Sequence, residues 1–244
     1  MKKYSHFTQN LYNEIYPDGI EYHYWNIARF KLINSILNYI TIPIKALSIG
    51  CGRGVDVKLL SEYGIKIEGI EPADVAPLKD MQKYVITNTN PLSNNQKYNQ
   101  KFNTIFLLEV LEHLNEPEKM LIDILNTYTN VRYIVITVPA RNEIFSNYDT
   151  KVGHIKRYDL NDIETLAGKT GMKVVYKTYI FHILYILTRL WLKLFKQRPT
   201  TITAPKKNIR KLHYAIAFFV SLESIVLPRN WYGTSIISIL ATKK

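Results

Sequence analysis

Three glycines fall within five positions, Gly50, Gly52 and Gly54 of "ALSIGCGRGVDV" (46–57), between an apolar run and a helical pattern. Glycines at a strand-to-helix turn let the chain bend sharply and let a ligand approach the main chain, with free N–H groups facing it. A polar or anionic ligand is expected there. Glu71 stands 21 positions after Gly50, at the end of the next β-rich run. At that separation a carboxylate accepts hydrogen bonds from two ribose hydroxyls. A diphosphate is disfavoured, because G-x-G-x-x-G needs its third glycine where Val55 stands. Among groups that titrate near neutral pH, His154 in "GHIKRY" is the candidate for acid–base work, and His113 in "LEHL" is a candidate for a ligand contact. For each, a purely structural role stays open beside the chemical one. The six histidines are scattered, no H-E-x-x-H or paired-cysteine spacing occurs, and no metal centre is expected.

These residues need a frame. Short β-rich runs at 45–49, 66–70, 84–87, 104–108, 133–138, 173–180 and 234–242 alternate with helical patterns, which reads as an α/β fold with a largely parallel sheet. Val55 to Tyr63 makes one short helix, ended by Gly64 in the left-handed position. Before the first strand, Ile27, Phe30, Ile33, Ile36 and Leu37 share one helical stripe, and Pro43 marks the exit. The polar stretch 88–101 reads as a surface loop.

At 244 residues, 47% hydrophobic, the chain can bury one core with an addition. A single cysteine, Cys51, excludes a disulfide framework and suits a reducing, cytoplasmic setting. The N-terminus starts basic but has no apolar h-region. Most of the net charge of +12 sits in residues 181–230, where nine Lys or Arg face one acid, Glu223. Within it, His182, Tyr185, Arg189, Lys193 and Lys196 recur at helical spacing and leave Ile, Leu, Trp191 and Phe195 on the remaining surface, a basic amphipathic helix. No apolar run reaches the roughly 20 residues of a membrane span. Three readings of this insert are open: a lid over the acceptor, a peripheral contact with the inner membrane surface through 181–211, or a solvated basic face.

Taken together, "LSIGCGRG", "IEGIEPADVA" (67–76), "KFNTIFLLEVLEHLNEPEKML" (101–121) and "VGHIKRYDLNDIETLAGKTGMKVV" (152–175) resemble the class I S-adenosylmethionine-dependent methyltransferases. The last stretch is similar to one found in small-molecule members, including quinone-biosynthesis and polysaccharide-cluster enzymes. The resemblance covers 45–180 plus the final strand. It implies a Rossmann-like, seven-stranded, mostly parallel sheet with an antiparallel last strand and a helical insert before it. The division expected is a helical segment over 1–44, a cofactor-binding core over 45–180, the insert over 181–230 and the final strand over 231–244.

The resemblance also implies roles. S-adenosyl-L-methionine would lie with its methionine part against the backbone of Gly50, Cys51 and Gly52, and its ribose on Glu71 and Pro72. Asn88 or Asn90 would stand near the adenine, with Leu108, Glu109 and His113 lining the sulfonium end. Family members commonly carry an acid where Ser48 sits and "FD" where this chain has Phe102 and Asn103. His154 is the candidate base for a hydroxyl acceptor, with Tyr24 and Tyr158 on the acceptor side. The acceptor expected is small, saccharide or amphiphilic, and nucleic acid is disfavoured because "LLEVLEHL" lacks an Asn/Asp-Pro-Pro-aromatic motif. A short-chain dehydrogenase is disfavoured too, since none of the eighteen tyrosines has lysine four residues later. The competing class is a non-catalytic protein of this fold that binds a membrane or partner through the insert. Oligomeric state is not legible.

Overall fold

The computed structural model describes residues 9–93 and 95–243; the first eight residues of the expected N-terminal segment lie outside them. All seven β-rich runs join one sheet: β1 (Lys45–Ile49), β2 (Lys66–Glu71), β3 (Val85–Thr87), β4 (Thr104–Leu108), β5 (Tyr133–Pro139), β6 (Lys173–Ile180) and β7 (Ser235–Ala241). Each end lies within one residue of its sequence expectation. The order is β3-β2-β1-β4-β5-β7-β6. β1 to β5 pair in parallel, and β7 runs antiparallel to both β5 and β6. Chain direction along the sheet reverses between β1 and β4, so the carboxyl ends of these strands flank a crevice, the place where open α/β sheets bind ligands.

Among the described residues nine helices cover the two faces: α1 (Gln9–Ile15), α2 (Tyr24–Ile36), α3 (Val55–Glu62), α4 (Gln96–Asn99), α5 (Pro117–Thr127), α6 (Asn147–Val152), α7 (Leu160–Lys169), α8 (His182–Phe195) and α9 (Arg210–Val226). β4 shows why both faces need cover, because all five residues of "TIFLL" are buried. Ile105 and Leu107 point into a core with Leu121, Ile124 and Ile163 of α5 and α7. Phe106 and Leu108 point the other way, into a core with Phe30, Ile33 and Leu60 of α2 and α3. The loop 88–101 carries α4, capped by the Asn95 side chain, which accepts from the Tyr98 amide.

Two expectations need correction. The α2 stripe is too narrow: Ala28, Arg29 and Leu32 are buried besides Phe30, Ile33 and Ile36, because α9 packs across the side of α2 that a lone surface helix would leave wet. The insert is the second case. A lid would bury the apolar side of α8, yet His182 and Tyr185 of the polar stripe are buried, Leu184 packs against the core, and Ile183, Ile186, Leu187, Leu190 and Leu194 are exposed. Hydrogen bonding explains the inversion: the Tyr185 hydroxyl donates to Glu143, Arg189 reaches that hydroxyl, and the His182 amide donates to Glu223 of α9. Further along the same stripe Arg189, Lys193 and Lys196 stay exposed. Among the described residues, no helix is long and apolar enough to cross a membrane.

Candidate active site

The chain leaves β1 through three left-handed glycines, Gly50 (φ 77°), Gly52 (φ 55°) and Gly54 (φ 85°). A β-carbon at Gly50 would lie 2.8 Å from Val110 and one at Gly54 2.7 Å from Val85, so the turn needs glycine for both conformation and space. The expected free N–H groups are not there. Gly50 and Cys51 both donate to the Ile70 carbonyl, Gly52 donates to Glu71 Oε2 at 2.7 Å, and Gly54 donates to the Cys51 carbonyl. A diphosphate finds no donor at these four positions, whereas a ligand rich in N–H and O–H groups meets a carboxylate and carbonyls. The Cys51 side chain turns away and is buried against Gly69, leaving only its backbone at the turn.

Glu71 is buried at the end of β2, and burial raises its pKa despite hydrogen bonds from the Ala73 and Gly52 amides and the Tyr12 hydroxyl. Pro72 follows, half-buried. Two carboxylate oxygens carry about four acceptor positions, so one remains beside these three donors and a second opens if the Tyr12 hydroxyl leaves. Tyr12 of α1 stands over this place: a β-carbon on Gly52 would come within 3.0 Å of its ring, which packs with Ala73 and Val75. The residues fit an adenosyl ligand once Tyr12 moves aside. Asn88 is exposed with φ 54°, while Asn90 uses its side-chain carbonyl to accept from the Leu92 amide and shapes its loop.

Both departures from the family pattern have structural explanations. The Ser48 hydroxyl donates to buried Asp56 of α3, so an acid stands beneath the glycine turn after all. Burial raises the Asp56 pKa to about 6 against the hydrogen bonds from Ser48 and Val57. Its signal in the sequence is the acid in the first helical turn after the glycines. Asn103 lies at the opposite end of the sheet, where it accepts from the Lys45 amide and donates to the Pro43 carbonyl.

On the other side of the crevice, Glu109 follows β4 in a left-handed conformation (φ 58°), accepts from Thr137 and lies 3.4 Å from Arg29 Nη1. Such a non-glycine outlier is typical of functional sites. Next to it, Leu108 is buried. Glu112 is fully buried and neither oxygen meets a donor; burial and the adjacent Glu109 carboxylate hold its pKa well above the usual range. The ring centroids of His154 and His113 lie 5.0 Å apart, edge to face. His113 Nδ1 lies 3.0 Å from the Gly153 carbonyl, and burial lowers its pKa to about 4. His154 Nδ1 lies 2.8 Å from Asp149 Oδ1, and its Nε2 lies 3.8 Å from Glu112 Oε1. Burial opposes ionisation of Asp149, but the hydrogen bond from His154 and the charge of Arg157 hold its pKa down to about 2. An ionised Asp149 takes the Nδ1–H and leaves the lone pair on Nε2.

The fold thus assembles two histidines that are 41 positions apart. Ligand-type atoms of Glu112, His113 and His154 all lie within 4.8 Å of one another, a grouping that the linear spacing gave no reason to expect. Asp149, Arg157 and Glu112 were missed in the sequence because no regular spacing ties them to His154. Tyr158 is a correction: it is buried, and its hydroxyl donates to the Leu111 carbonyl, bracing the turn that carries Glu112 rather than facing an acceptor. Tyr24 donates its amide to His213 of α9 and lies in the field of Arg198 from the insert. Arg198 itself stacks 4.8 Å over Tyr148, and its backbone is tied to Asn147 by two hydrogen bonds.

A sheet reversing at β1/β4, an antiparallel β7 and a carboxylate beside a glycine turn define a nucleoside-binding enzyme of the Rossmann-like class. The chain belongs to the methyltransferase-domain family, whose family model matches residues 24–177. It is an S-adenosylmethionine-dependent methyltransferase. Solved structures share the fold at low identity. The methyltransferase domain of bacterial CtHen1 is 14% identical with a TM-score of 0.53, covering 90% of this chain and 99% of its own. A possible histamine N-methyltransferase from Thermotoga maritima is 15% identical with a TM-score of 0.51, covering 97% of this chain and 100% of its own. Phosphoethanolamine N-methyltransferase 2 of Haemonchus contortus is 12% identical with a TM-score of 0.53, covering 97% of this chain and 60% of its own. No curated protein sequence matches the chain.

Proposed function

We propose that the protein O-methylates a small, saccharide or amphiphilic acceptor, with His154 as general base. The observation that carries this reading is the 2.8 Å contact between His154 and an Asp149 held ionised by Arg157. S-adenosylmethionine supplies an electrophilic methyl group on sulfur. The protein must align the acceptor oxygen with that methyl and remove its proton. Asp149 orients the imidazole, Nε2 takes the proton, and the carboxylate stabilises the imidazolium that results. Glu71 would accept from the ribose hydroxyls, the backbone of Gly50 to Gly52 would receive the methionine part, and Asn88 would hold the adenine side. Leu108 and Glu109 would border the sulfonium, whose positive charge the Glu109 carboxylate would complement.

The test is paired. His154→Ala lowers turnover about 10²- to 10⁴-fold while S-adenosylhomocysteine affinity stays within about twofold, and Glu71→Ala abolishes measurable cofactor binding. Unchanged turnover in the first, or unchanged affinity in the second, removes that residue from its role. A second reading is favoured by Glu112, whose buried oxygens meet no donor. In it Glu112, His113 and His154 hold a divalent cation that acidifies the acceptor hydroxyl. Turnover that collapses on chelation and returns with Mg²⁺ or Mn²⁺ selects this reading; turnover indifferent to chelation selects the base.

A further inference from the structure

We infer that the outward face of α8 and α9 docks on an anionic lipid bilayer. On α8, Ile183, Ile186, Leu187, Leu190, Trp191 and Leu194 form one helical stripe, and each is between 45% and 74% exposed. On α9, Phe218, Phe219, Leu222, Ile225 and Val226 do the same, between 43% and 71% exposed. The two stripes meet where α8 begins and α9 ends, joined by hydrogen bonds of the Phe181 and His182 amides to Ser224 and Glu223. There an apolar groove of about 330 Å³, lined by Ile183, Ile186, Leu227 and Trp231, continues the surface. A contiguous apolar patch of this kind marks an interaction site rather than ordinary surface.

Charge decides between occupants. Lys193, Lys196, Lys206, Lys207 and Lys211 of the insert are exposed. Its one acid, Glu223, is turned inward against the start of α8. A second copy seated on the same face would bring two surfaces of like charge together, with nothing to neutralise them. An anionic bilayer instead accepts the apolar side chains below the headgroups and the lysines among them, and Trp191 and Trp231 suit the interfacial layer. The docked face is also connected to the acceptor side of the crevice. Beyond the end of α8, Arg198 is tied to Asn147 and stacks on Tyr148, one residue from Asp149. A bilayer at α8 therefore sits beside the route by which an amphiphilic acceptor would reach His154. The docking goes beyond the O-methylation reading and is measured without cofactor or acceptor, so either can fail alone.

The experiment is co-sedimentation of the full chain with phosphatidylcholine vesicles, with and without phosphatidylglycerol. Binding is expected to the anionic vesicles, to weaken at least tenfold between low and high salt, and to be lost in Leu190→Glu/Leu194→Glu. That double variant alters exposed positions only and should retain its thermal midpoint and S-adenosylhomocysteine affinity. Lys193→Ala/Lys196→Ala should reduce the salt dependence. Failure of the native chain to bind anionic vesicles, or binding by Leu190→Glu/Leu194→Glu equal to the native chain's, overturns the inference. So does a lipid-free dimer by sedimentation equilibrium that Leu190→Glu/Leu194→Glu dissociates, because a second copy would then cover the face.

Discussion

Asp56 shows how a single side chain can take over a place that its sequence neighbourhood leaves without an acid. With Ser48 where an acid is common, the carboxyl beneath the glycine turn comes from α3, buried and hydrogen-bonded to Ser48 and the Val57 amide. Its pKa, raised from 3.8 to about 6, makes stability depend on pH. Between these values the folded chain holds a proton that the unfolded chain has released. The contribution is full below pH 3.8 and is lost as pH rises through about 6, by on the order of 3 kcal/mol. Asp56→Asn removes this titration. Relative to the native chain, the variant should gain about 3 kcal/mol of stability between pH 3.8 and pH 7. Urea unfolding of both proteins at the two pH values measures it, and a difference that stays constant with pH would rule the assignment out.

At the scale of elements, the junction of β6 and β7 carries the insert. Gly233 lies so close to the end of β6 that a β-carbon there would stand 2.1 Å from the Ile180 carbonyl oxygen. That contact lets the two ends of a fifty-residue excursion meet, so β7 can enter the sheet between β5 and β6. Gly233→Ala has only backbone to push against and should lose at least about 3 kcal/mol. A denaturation midpoint equal to that of the native chain would show that the junction relaxes freely. The same junction explains what was hard to read in α8. Its spacing of apolar and basic residues is visible in the sequence, but which stripe faces inward depends on Glu143 and Glu223, contributed by elements 42 and 41 residues away. The buried surface of α2 exceeds its sequence stripe for a related reason, since a helix covered by a distant partner carries a broader buried surface than one side of the sheet demands.

For the whole molecule, the division into segments at 44, 180 and 230 describes the chain better than it describes the folded body. α9 of the insert packs along α2 of the N-terminal segment, and Phe30, Leu60, Ala217 and Ile237 share one core. Four segments built on a common core unfold together. Calorimetry should therefore give one transition, with equal calorimetric and van't Hoff enthalpies. Two resolved transitions would mean that the insert is a separable unit.

By itself the sequence determined the sheet, strand by strand, because apolar β-rich runs between turn residues have few other ways to hide. It also determined the pairing of the glycine turn with Glu71, since both lie within one βαβ unit where spacing in the chain maps directly onto distance. Tertiary structure alone decided the histidine cluster across the crevice. His113 and His154, Glu112 and Asp149 belong to different loops that meet only when β4 and β5 lie side by side, and no local periodicity records that meeting. The outward apolar face of α8 is of the same kind, because amphipathicity states that a helix has two sides while only its packing partners state which one is buried.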